Sequence, residues 1–92
     1  MIVLIQGWDL QLEGCHSLKD KRAILQALKA AVRKHNVALA EVEHQDAWQL
    51  SGLAAVTVSS ERRSAEETLR AVDAVIDATD GVRILNTKVT VA

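Results

Sequence analysis

Ninety-two residues with a formal net charge of −1 make one domain, and no global field draws it toward nucleic acid or a membrane. Apolar residues form 49% of the chain, yet Phe, Tyr and Pro are absent and Trp8 and Trp48 are the only aromatics, so Val, Leu, Ile and Ala must fill the core. Cys15 is the single cysteine, which excludes an internal disulfide and a multi-cysteine metal site.

The opening residues, MIVLIQGWDL, lack a basic flank, and their apolar run stops at Gln6; they read as a strand rather than a leader. No apolar run approaches the roughly 20 residues that a membrane span requires, so a cytoplasmic setting is expected. Residues 2–12 alternate, with Trp8, Leu10 and Leu12 on one side and Asp9, Gln11 and Glu13 on the other. The first half is apolar on both faces, as a central strand would be. Gln6 interrupts the alternation, which suggests a bulge near Gly7.

Gly14 ends this strand, and Ser17 followed by Asp20 resembles a capping box. A helix is predicted from there to about Lys34, with Leu18, Ile24, Leu25, Leu28, Ala31 and Val32 on one face and Asn36 as a left-handed cap. Residues 37–43 read as a second strand with Glu41 and Glu43 outward. Residues 44–48, HQDAW, form a tight polar connection. Residues 49–60 read as a third strand with a bulge at Gly52. Ser60 or Ser64 then caps a second helix that carries Leu69, Val72, Val75 and Ile76 inward and ends near Asp80 and Gly81. Residues 82–91 make a fourth strand.

The order βαββαβ predicts an α+β, ferredoxin-like sandwich: an antiparallel sheet in the order 4-1-3-2 with both helices on one face. On that topology the segment GCHSLKDKR (residues 14–22) and the HQDAW connection meet at one edge of the sheet.

The charge is unevenly spread. Between residues 16 and 35, Lys19, Lys21, Arg22, Lys29, Arg33 and Lys34 face Asp20 alone, a local surplus of five positive charges. A helix start attracts anions, and His16, Lys19, Lys21 and Arg22 surround this one. Lys21 falls on the sheet-facing side, so its ammonium must reach out over the sheet, either to an anion or to Glu43 or Asp46 as a structural bridge. Arg22, Gln26, Lys29 and Arg33 form one polar stripe along which a phosphate backbone could lie, or which simply solvates the helix. On the connection, His44 and Asp46 pair an imidazole with a carboxylate, but no nucleophile is near; an Asp that caps its own turn is the simpler reading. Trp48 by the same simpler reading packs over a helix end; if the connection is functional, it suits a stacking platform better than Asp46 suits a base. Cys15, beside a helix start, is expected to have a lowered pKa, which allows a reactive thiol, but a small residue in a tight turn is the favoured reading.

His16-Ser-Leu-Lys-Asp-Lys-Arg22, with Ala40, Glu41, Asp46, Trp48 and Gln49 downstream, resembles the YlxP-like family of small bacterial proteins, over essentially the whole chain. The resemblance implies a ferredoxin-like fold. Genes of that family often neighbour those for transcription-elongation and translation-initiation factors, which implies a role near RNA or the ribosome. It carries no catalytic residues and no cofactor.

Other activities of this fold fit poorly. An RNA-recognition domain would show aromatics on its central strands, a metal chaperone would need paired cysteines, and an acylphosphatase-like enzyme would need an arginine in the loop after the first strand. The expected function is therefore a non-enzymatic binding module for RNA or a ribosomal particle. The alternative is a homo-oligomeric domain that senses a small anion or metabolite. Val3, Ile5, Leu53 and Ala55 are expected on an open sheet face that pairs with another copy.

Overall fold

A computed structural model describes residues 1–92. Its elements run β1 (Ile2–Leu12), α1 (Leu18–Val32), β2 (Ala38–Glu43), β3 (Leu50–Ser59), α2 (Arg62–Asp77) and β4 (Val82–Val91). The four strands form one antiparallel sheet in the order β2-β3-β1-β4, as the sequence predicts. No helix is long and apolar enough to cross a membrane.

Side chains alternate across a strand, so one face of β1 collects every even residue. Leu4, Gln6, Trp8, Leu10 and Leu12 are all buried there. Register then selects their neighbours: Trp8 stands opposite Leu53 on one side and Thr87 on the other. Onto this face α1 packs Leu25, Leu28 and Val32, while α2 packs Ala65, Leu69, Val72 and Ile76. The Trp8 indole donates to the Asp73 carboxylate at 2.8 Å and so ties the central strand to α2.

Several local expectations give way. Gln6 keeps the alternation: it is 7% exposed and its amide donates to Thr87 Oγ1 at 2.7 Å. No irregularity lies at Gly7. The pairing of β1 with β4 instead shifts between Asp9 and Leu10, where Leu85 is the extra residue. Leu53 and Ala55 are buried toward the helices, and the open face next to Val3 and Ile5 carries Val58 and Val56 instead. Helix α1 stops at Val32 with Arg33 in ordinary helical geometry. Asn36 is no left-handed cap; its amide donates to the Val58 carbonyl and its own carbonyl accepts from Thr57, which fastens the helix exit to β3. Glu61 rather than a serine holds the N-cap position of α2, with the Ser59 hydroxyl accepting from its N–H.

Gly52 is not itself the bulge. The register of β2 against β3 shifts between Glu41 and Glu43, and Gly52 is the residue that makes room for it. A Cβ on Gly52 would lie 2.7 Å from Glu43 Cβ and 3.4 Å from its Cα. Gly52→Ala should therefore cost about 1–3 kcal/mol, the range for overpacking against backbone. The midpoint of denaturant unfolding checks this; an unchanged midpoint would mean that β2 moves aside freely.

Candidate functional site

The helix start is built locally. Gly14 takes φ +82, a conformation that turns the chain out of β1 without a side-chain penalty. Ser17 Oγ accepts from the Asp20 N–H at 3.1 Å, and the Asp20 carboxylate accepts from the His16 N–H at 3.1 Å. The carboxylate thus occupies the electropositive helix end, so the cap leaves less of an anion site there than the sequence suggests. Cys15 is buried, and burial first, then the nearby Asp20 charge, raise its thiol pKa against a smaller opposing effect of Lys21. The expectation of a lowered thiol pKa is thus reversed, and the turn seats a small inert side chain.

The two polar segments do meet. Lys21 crosses from α1 to the β2–β3 connection, where its ammonium donates to the carbonyls of His44, Gln45 and Leu50 at 2.8, 3.2 and 3.3 Å. Gln49 returns the contact by donating to the Cys15 carbonyl at 3.3 Å, and its own carbonyl accepts from the Leu12 N–H. The ion partner of Lys21 is Glu41, 3.0 Å away, and neither Glu43 nor Asp46. Glu41 also accepts from Ser51 at 2.6 Å. Glu41 therefore faces inward, a correction to its expected outward direction. Lys21 is 1% exposed and its donors are all engaged. It cannot touch an anion arriving from solvent and leaves the set of binding candidates; its place is structural.

The remaining candidates divide into two groups. Lys19, Arg22, Lys29 and Arg33 are exposed along α1, and none of them forms an ion pair. Ala23, Ala27 and Ala30 are exposed between them, so the ridge is low. His16 is exposed at the start of this helix, and Asp46 and Trp48 are exposed on the connection that Lys21 holds against it. Trp48 is 52% exposed and borders a shallow dip with Asp46 and Leu50.

His44 belongs elsewhere. It adopts φ +60, and its ring lies with the Asp9 and Glu43 carboxylates, their ligand-type atoms within 4.8 Å of one another. That corner is acidic and lies toward the open sheet face, apart from the cationic helix. His44 and Asp46 do not form an acid–base pair.

Sequence reasoning missed one feature, a cleft of about 390 Å³ between α2 and β4, lined by Gln6, Arg62, Glu66, Arg70, Asp73 and Thr87 around Leu4, Leu69 and Val89. Its residues are scattered from position 4 to position 89, so no local motif announces it. The one signal was Gln6, a polar residue in an otherwise apolar strand.

The chain is 41% identical over 63 residues to a Bacillus subtilis (strain 168) protein described as "Uncharacterized protein YlxP", covering 67% of this chain and 68% of that one. Residues 3–89 match the family described as "Protein of unknown function (DUF503)", and the chain belongs to that family.

Proposed function

We propose that the chain is a non-enzymatic binding module that holds structured RNA, free or in a ribosomal particle, against the outer face of α1. The observation that carries this reading is the row of Lys19, Arg22, Lys29 and Arg33: four exposed cations, none neutralised by a carboxylate of the same chain. The row lies in the densest cationic stretch of the chain, where residues 16–35 hold six Lys and Arg against Asp20 alone. Exposed alanines between the cations let a phosphate backbone approach the helix closely. Trp48, on the connection tied to the start of α1, offers a ring on which an unpaired base stacks. The test is binding of ribosomal RNA at several salt concentrations by the parent and by a chain with Arg22, Lys29 and Arg33 changed to Ala.

A second reading, self-association, rests on the open sheet face. Val3, Ile5, Ala54, Val56 and Val58 form a contiguous apolar patch there, with Val58 48% exposed. Patches of this kind are seldom left bare. Sedimentation at micromolar concentration should give a dimer, and Val56→Glu should return it to a monomer. A parent chain that sediments as a monomer defeats this reading and leaves the first untouched.

A further inference from the structure

We infer that the cleft between α2 and β4 binds a free α-amino acid with an apolar side chain. The starting point is Gln6. It is 93% buried by its 7% exposure, and its amide N–H donates to Thr87 Oγ1 at 2.7 Å. The single hydroxyl proton of Thr87 goes to the Gly7 carbonyl at 3.0 Å. Toward Gln6 the hydroxyl therefore only accepts, which fixes the amide: nitrogen to Thr87, oxygen left over. That oxygen takes no hydrogen bond in the chain, and it is not sealed off, since no fully buried polar atom lacks a partner. Gln6 lines the cleft, so the cleft offers an acceptor on a largely buried side chain to which the chain itself supplies no donor.

The wall of the cleft supplies both signs of charge. Arg62 is neutralised by Glu66 at 2.9 Å. Arg70 has no ion partner. Asp73 spends one carboxylate oxygen on the Trp8 indole and keeps the other. Arg70 and Asp73 are three residues apart on α2, which makes them neighbours on one helix face. The unspent groups are thus one guanidinium, one carboxylate oxygen and one amide oxygen, above a floor of Leu4, Leu69 and Val89. Two cations and two anions line the cleft, so it is neutral overall and favours neither a phosphate nor a metal ion. A zwitterion matches it. Its carboxylate meets Arg70, and its ammonium, which only donates, meets Gln6 and Asp73. An aliphatic or thioether side chain covers the apolar floor. About 390 Å³ lies in the usual range for small-molecule sites.

The site is remote from the α1 stripe in sequence and shares no residue with it, so this inference stands or falls independently of RNA binding. The experiment is a nuclear magnetic resonance titration of the intact chain with L-leucine, L-valine, L-methionine and L-phenylalanine, each to about 20 mM. The reporters are the Trp8 indole N–H, bonded to Asp73, and the Gln6 side-chain amide. At least one of the four should shift both reporters saturably. Its methyl ester, which lacks the carboxylate charge, and its N-acetyl form, which lacks the ammonium, should each bind at least about tenfold more weakly. Arg70→Ala, an exposed position that should fold normally, should weaken the parent ligand by a similar factor. No shift with any of the four overturns the proposal. Equal binding of the ester, of the N-acetyl form or by R70A overturns it too.

Discussion

Lys21→Ala should lower the unfolding free energy by about 3–5 kcal/mol, the cost of removing one partner of a buried ion pair. For a domain of this size that is a large part of its total stability. The lysine donates to three backbone carbonyls and to Glu41, and it is 1% exposed. Alanine leaves a void and removes the one donor that these three carbonyls and Glu41 share. Two of those carbonyls, His44 and Gln45, belong to the β2–β3 connection, so the amides of residues 44–49 should lose hydrogen-exchange protection before the rest of the sheet. Glu41→Gln should cost less, about 1–3 kcal/mol, because Lys21 keeps its carbonyls. The double substitution Lys21→Met with Glu41→Leu should recover part of the loss, since it removes both charges together. Denaturant unfolding checks all three. A loss below about 1 kcal/mol in Lys21→Ala would show that water readily replaces the ammonium.

The position of Lys21 shows how far sequence reading reaches. Helical spacing alone placed a cation between Leu25 and Leu28 on the sheet-facing side, and the strand order alone brought the connection above it. The partner was out of reach of the same reasoning. Glu41 and Glu43 share a strand face in any regular strand, and both read as outward. The irregularity at Val42 separates them: Glu41 turns in to Lys21 and Ser51, while Glu43 joins Asp9 and Gly52 on the open side. A bulge depends on what the neighbouring strand tolerates, here the missing side chain of Gly52.

Gln6 teaches the same lesson from another side. Polarity in an apolar strand suggested a break in alternation. The alternation holds because Thr87, 81 residues later in the chain, supplies the hydrogen-bond partner. Local periodicity gave the elements, their order and most of the core. What depends on pairs brought together from opposite ends of the chain, the cleft above all, emerges only in three dimensions.

Changing Arg22, Lys29 and Arg33 together to Ala should cut RNA affinity by about two orders of magnitude at about 0.1 M salt. Each cation that neutralises a phosphate adds about 0.7–0.9 to the slope of log affinity against log salt. Three of them add roughly two to three, and extrapolation from about 1 M to 0.1 M salt turns that slope into the same number of decades. The variant should fold as the parent does, because all three side chains are exposed and unpaired and alanine favours a helix. Lys21 is left intact, since its removal would confound binding with unfolding. Arg63→Ala is the control: that cation is exposed but paired with Glu67 on α2, and its loss should barely alter binding. Trp48→Ala separates charge from stacking. It should weaken single-stranded RNA by about 1–3 kcal/mol and leave the salt slope unchanged, because stacking releases no counterions. A flat salt response in the parent, or equal losses in Arg63→Ala and the α1 variant, would remove α1 as the contact surface. The chain's one strongly basic face would then be a solvated helix.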